Sequence, residues 1–285
     1  MKKARITRIV SNHYTIYMDG EFHVAKAMGK LRLGQKPIVG DNVHVEFLEE
    51  QWVIQEVLER ENHLIRPLVA NIDQTLIVMS AKEPDFSYTL VDRLIFLISL
   101  EGIKSVIVIS KADLITKEAQ NEIIQEYQTR GYQVVLTGQN LPTDPLENIL
   151  KDKLSVLAGQ SGVGKSSILN RINGELQLNT QAISKALGRG RHTTRHNQLY
   201  EIAGGWIADT PGFSSLDFSQ VDVQMLAESI PDFAPYIGQC KYRNCLHLKE
   251  PGCKIKEAVE NDAVSKIRYT NYVDVVKLIK EDTRG

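Results

Sequence analysis

Gly159-Gln160-Ser161-Gly162-Val163-Gly164-Lys165-Ser166 sets glycines, a lysine and a hydroxyl at the G-x-x-x-x-G-K-[ST] spacing. Glycines let successive backbone N–H groups close around a phosphate, which then sits at a helix N-terminus. Lys165 is placed to reach the terminal phosphates, and the Ser166 hydroxyl, followed by Ser167, to complete a Mg2+ shell. Further on, Asp209-Thr210-Pro211-Gly212 offers a carboxylate that can hold the same Mg2+ through water. The Gly212 N–H there can meet a γ-phosphate.

A second constellation lies upstream. Ser110-Lys111-Ala112-Asp113 closes the apolar run Val106–Ser110. A carboxylate at Asp113 can accept the N1–H and 2-amino protons of guanine together, whereas adenine would leave the charge unpaired. The Lys111 stem can lie along a purine face. Ser110 stands where an asparagine is usual, whose amide ties this loop to the phosphate loop. The shorter side chain is expected to hold the base less firmly. The next apolar stretch ends in Thr137-Gly138, where a backbone N–H can meet guanine O6. These base-reading residues precede the phosphate loop, the reverse of the ordinary order. That arrangement reads as a sheet whose ends were joined and reopened elsewhere, which leaves a core intact because domain termini lie close together at the surface.

A third cluster is metallic. Cys240-x4-Cys245-x-His247-x5-Cys253 contains all 3 cysteines of the chain. Soft S and N donors in a set of four suit a closed tetrahedron around structural Zn2+ rather than an open catalytic site. Clustering beside a histidine also argues for metal in a reducing compartment over disulfides. Unligated cysteines in a turn are the bland alternative. Lys241, Arg243, Lys249, Lys254 and Lys256 surround the cluster, as RNA-facing or merely solvated lysines would.

These groups need elements to hold them. Residues 1–64 read as five short strands rich in β-branched and aromatic residues, with Asp19-Gly20 as a hairpin turn. A small OB-type barrel that binds RNA fits this, and so does a β-domain that only packs on its neighbour. Up to Arg66 there are ten basic and nine acidic residues, so bulk charge does not separate the two. Lys26, Lys30, Arg32 and Lys36 cluster without an intervening acid in an expected loop. Residues 65–218 alternate buried apolar strands with helices, the pattern of a mainly parallel α/β sheet covered on both faces. Residues 219–285 read as helical around the cysteine cluster.

The whole chain resembles the circularly permuted, ribosome-small-subunit-dependent GTPases, the RsgA family. "SKAD", "GQSGVGKSS", "GRGRHTTRH", "DTPGFSSL" and the cysteine cluster carry the resemblance. It implies a multidomain α/β protein: an N-terminal OB-fold β-barrel, a circularly permuted P-loop GTPase and a small C-terminal zinc-binding α domain. It also implies GTP hydrolysis to GDP and phosphate, stimulated by the 30S subunit, and late maturation of that subunit through contact with its 16S rRNA. Ras-like enzymes carry a water-orienting glutamine after the D-x-x-G glycine. Here that residue is Phe213, which can neither accept a proton nor orient water. By resemblance, His192 positions the attacking water, and Thr194 closes over the γ-phosphate and ligates Mg2+. His192, with Arg189, Arg191 and Arg195, contacting rRNA phosphate is the competing reading. The loop from Asp209 to Ser215 runs directly towards the zinc region, so γ-phosphate loss is expected to shift that region.

Composition bounds the rest. The 285 residues, 42% hydrophobic and 24% charged, have material for real cores, and no apolar run nears a membrane span. With a net charge of −1, RNA affinity must come from local patches. A cytoplasmic monomer is expected. Two other classes stay open: an ATP-using P-loop enzyme with an accidental S-K-A-D, and an RNA-binding factor that only senses nucleotide.

Overall fold

The computed structural model describes residues 1–32, 35–65, 68–173, 198–209 and 216–282. In chain order it forms β1 (Lys2–Val10), β2 (His13–Met18), β3 (Glu21–Ala27), β4 (Asn42–Leu48), β5 (Gln51–Val57), β6 (His63–Ile65), β7 (Leu68–Ala70) and β8 (Gln74–Ser80). There follow α1 (Tyr88–Leu100), β9 (Lys104–Ser110), α2 (Lys117–Gln128), β10 (Gln133–Leu136), α3 (Asp144–Leu150), β11 (Leu154–Ala158) and α4 (Lys165–Ile172). The chain closes with β12 (Gln198–Ile202), β13 (Gly205–Asp209), α5 (Val223–Ser229), α6 (Lys254–Glu260) and α7 (Lys266–Asp282). Contacts group these elements into two compact units.

The first unit comprises Met1–Gln74, Thr143–Leu157 and Ser166–Gly212. Its N-terminal strands run in the order β1-β2-β3-β5-β4, and β4 pairs back onto β1, so the sheet closes as a five-stranded barrel. Closure leaves no free edge, and alternate residues, among them Ile6, Ile16, Val43, Val45 and Ile54, fill the interior. Asp19 and Gly20 both take positive φ, as the expected two-residue hairpin demands. Buried Asp41 receives Arg60 bidentately at 2.6 and 2.9 Å, which fixes the turn before β4. Lys26 lies on β3, and Gly29–Arg32 form a 3-10 turn, so the expected basic loop is partly regular structure. In the same unit β11 pairs in parallel with β13, Val156 opposite Ala208, and Asp209 ends β13. β12 and β13 make an antiparallel hairpin around Ala203-Gly204.

The second unit comprises Thr75–Pro142, Ala158–Lys165 and Phe213–Gly285. Its strands lie in the order β10-β9-β8, with β10 and β9 parallel. β8 is buried along its whole length, and β9 is buried from Val106 to Ser110. Covering both faces requires the unbroken apolar runs seen in the sequence. Thr116 caps α2, accepting from the Ala119 N–H at 3.3 Å. Helix α7 is fastened to these elements by Arg268, which is fully buried. Its Nε donates to Asp92 of α1 at 3.0 Å and its Nη1 to Asp232. The Tyr127 and Tyr132 rings lie 4.9 and 4.8 Å from its guanidinium carbon. Asn271 donates to Asp92 at 2.7 Å, and the Tyr132 hydroxyl donates to Asp232 at 2.6 Å.

Candidate functional site

β9 carries the base-reading loop at its C-terminal end, where its last residue, Ser110, is 2% exposed. The Ser110 hydroxyl donates to the Val163 carbonyl at 2.5 Å, across 53 residues of sequence. The tie between base loop and phosphate loop is therefore made by serine. Ser110 is close enough to Val163 for the short side chain to reach. Lys111 takes a left-handed backbone and its ammonium donates to the Glu83 carbonyl. Ala112 is buried, and its N–H donates to the Thr137 carbonyl at 3.0 Å, joining the base loop to the end of β10. Asp113 is half-buried and lies against Gly138. A Cβ added at Gly138 would meet Asp113 Oδ1 at 2.0 Å, so only glycine leaves room for that carboxylate.

The phosphate loop follows β11 directly. Gly159 has a φ of +136°, and a Cβ there would lie 2.2 Å from the Val78 carbonyl oxygen. The loop thus packs on the β8 backbone as no other residue would allow. Lys165 Nζ donates to the Gly159 and Gln160 carbonyls at 2.7 and 2.6 Å, which curls the side chain over its own loop. Burial pulls its pKa down to about 8. Ser161 and Gly162 are exposed, and Val163 is buried beneath the loop. Ser166, in the first turn of α4, is buried, and Ser167 beside it is exposed.

The lysine supports a pH prediction. A triphosphate beside Lys165 favours the ammonium, so binding takes up a proton wherever the free protein has lost one. Affinity for a non-hydrolysable GTP analogue should be level below about pH 8. It should fall by up to about tenfold per unit as the pH rises through that value. A flat titration from neutral pH to about 9.5 would remove Lys165 from phosphate contact.

The four predicted metal ligands come together. The sulfurs of Cys240, Cys245 and Cys253 and a ring nitrogen of His247 lie within 4.8 Å of one another. His247 Nδ1 is 3.6 Å from Cys240 Sγ and 3.4 Å from Cys253 Sγ. A zinc tetrahedron with Zn–N of about 2.05 Å and Zn–S of about 2.3 Å has N···S edges of about 3.6 Å. The donor set therefore fits a structural zinc site. Burial pushes the Cys245 thiol up to about 12 and raises that of Cys253, and a cation among the sulfurs would oppose both shifts. Sequence reasoning missed the groups that hold this loop. Glu250 accepts the Leu246 and Leu248 N–H groups at 3.2 and 2.7 Å. Tyr269 and Tyr272 of α7 donate to the His247 and Leu246 carbonyls, each at 2.7 Å. The tyrosines at i and i+3 on α7 were the available signal.

His192, Thr194 and Gly212, with Arg189, Arg191, Arg195 and Phe213, lie outside the described residues, as does the side chain of Asp209.

Residues 57–219 match the sequence profile of the RsgA GTPase family. A curated relative in Geobacillus sp. (strain WCH70), named small ribosomal subunit biogenesis GTPase RsgA, is 42% identical over 99% of this chain and 98% of its own. Its namesake RsgA 2 in Oceanobacillus iheyensis is 43% identical over 98% of both. Among solved structures, the circularly permuted GTPase YloQ superposes with a TM-score of 0.84 at 35% identity, over 99% of this chain and 96% of that one. YjeQ from Thermotoga maritima gives 0.84 at 33% identity, over 98% of each.

Proposed function

The chain belongs to the RsgA GTPase family, and from that premise we propose that it hydrolyses GTP on the small ribosomal subunit during that subunit's late maturation. The observation that carries this reading is the Ser110–Val163 hydrogen bond. It locks a base-reading carboxylate and a phosphate-binding loop into one compact unit, although they stand in permuted order along the chain. Nucleotide contacts run through Ser110, Lys111, Ala112 and Asp113 on the base side, with Thr137 and Gly138 behind them. On the phosphate side they run from Gly159 to Ser167, with Asp209 and Gly212 from the following strand. Ser166 and Thr194 would hold Mg2+, which would supply neutralising charge to the γ-phosphate, and Cys240, Cys245, His247 and Cys253 would hold a structural zinc.

The three sequence regions divide the labour. The barrel (1–64) and the zinc region (219–285) are the two contacts with 16S rRNA, and residues 65–218 are the nucleotide timer. Phosphate contacts make that binding salt-sensitive. Support for the barrel role comes from its closed five-stranded form and from exposed Phe22 and Phe47, aromatic side chains of the kind on which unpaired bases stack. The Arg268 cluster bears on the timer. It fastens α7 to the base-reading elements, so a shift of the zinc region on γ-phosphate loss carries those elements with it. Among the described residues no helix is long and apolar enough to cross a membrane, and we read the protein as a cytoplasmic monomer.

His192 orients the attacking water in this reading. Turnover measured with and without purified 30S subunits is expected to rise sharply with them. His192→Ala should bind subunits as the parent does and lose about two orders of magnitude of stimulated turnover. Parental turnover in that variant would leave His192 as an RNA contact. A parent indifferent to subunits would leave a nucleotide sensor.

A further inference from the structure

Asp113 can read a base only if its backbone is held, and the residue before it shows how. Ala112 is fully buried. Its N–H is taken by Thr137, at 3.0 Å. Its carbonyl receives Nε2 of Gln120 at 2.7 Å. Among the described residues the Ile115 N–H also reaches that oxygen, at a weak 3.4 Å. Gln120 lies on the first turns of α2 and is 4% exposed. Its Oε1 accepts from Lys117 Nζ at 3.2 Å, which settles which end of the amide faces Ala112: the oxygen turns to the lysine, the nitrogen to the carbonyl. No motif includes Gln120, and nothing in the chemistry of the reaction requires it.

We propose that Gln120 is a positioning residue for guanine specificity, acting through the Ala112 peptide to aim the Asp113 carboxylate. The peptide between Ala112 and Asp113 begins at the carbonyl that Gln120 holds, so rotation there swings Asp113 directly. The carboxylate lies in the space a Cβ at Gly138 would take, so its aim is set beside that backbone. Losing the amide leaves a buried carbonyl without a well-formed partner, and the peptide turns to find one. Pairing with two guanine hydrogens at once depends on alignment and suffers most. This inference rests on the base-site reading given above.

The test compares GDP with inosine diphosphate, which lacks the 2-amino group and so reports one of the two hydrogen bonds to Asp113. Gln120→Met removes the donor at similar volume, and Gln120→Glu replaces it with oxygen. In both variants GDP affinity should fall about five- to tenfold, by the worth of one buried hydrogen bond. Inosine diphosphate should lose less, so the ratio of the two affinities should fall at least about threefold. A purely structural role would lower thermal stability, or both affinities equally, with the ratio unmoved. A parental ratio in both variants therefore overturns the proposal alone. A parent that does not prefer GDP to inosine diphosphate overturns the base-site reading and the proposal with it.

Discussion

Asp113→Asn is expected to lower GDP affinity by about a thousandfold and to create binding of xanthosine diphosphate. The carboxylate accepts two hydrogens from guanine. The asparagine amide presents a donor to the 2-amino group, so one attraction becomes a clash of two N–H groups and a desolvated pair is left unmade. Xanthine carries an oxygen at that carbon and restores the match to the amide. The rejection in such sites is large because a buried polar group without a partner is penalised far more than a missing methylene. Calorimetric titration of parent and variant with GDP, xanthosine diphosphate and ADP reads all three terms. Equal affinity of the parent for ADP and GDP would return the chain to the ATP-using class.

Arg268→Met should destabilise the protein by about 3–5 kcal/mol, a large share of the 5–15 kcal/mol typical of a domain. The loss comes less from the missing contacts than from what stays behind. Asp92 and Asp232 are buried, and the guanidinium is the cation that both face. Burial already raises the Asp92 pKa, and Arg268 opposes the rise. Without the arginine that pKa climbs further, so the folded variant holds a proton that the unfolded chain releases. The deficit should therefore be smallest at acid pH and should grow as the pH rises through the raised value. Adding Asp92→Asn to Arg268→Met should recover part of the loss at neutral pH, measured by denaturant unfolding. An additive double variant would show that Asp92 and Arg268 do not depend on one another. Retained nucleotide binding by a destabilised Arg268→Met would separate this fastening from the site itself.

Much of this molecule is legible in one line of sequence. Apolar runs mark β8, β9 and β11 because a strand covered on both faces has no polar side to show. Asp19-Gly20 marks its hairpin because few residue pairs accept two positive φ values. The phosphate loop, the base loop and the metal ligands are legible because their chemistry confines residue types at fixed local spacing. Elements too short to show a period escaped. Helices α3 and α6 each span 7 residues, and α6 starts directly behind Cys253. The β6–β7 hairpin has 3 residues per strand, and the start of β12 is polar.

Tertiary structure alone decided how the pieces are held. Ser110 looks too short until Val163, 53 positions away, is found within its reach. Arg268 looks like one more surface cation of an amphipathic helix until Asp92, 176 positions away, closes on it. Gln120 has no sequence signal at all. Periodicity and spacing report interactions between neighbours along the chain. A hydrogen bond depends on distances of a few tenths of an ångström between residues that only folding brings together.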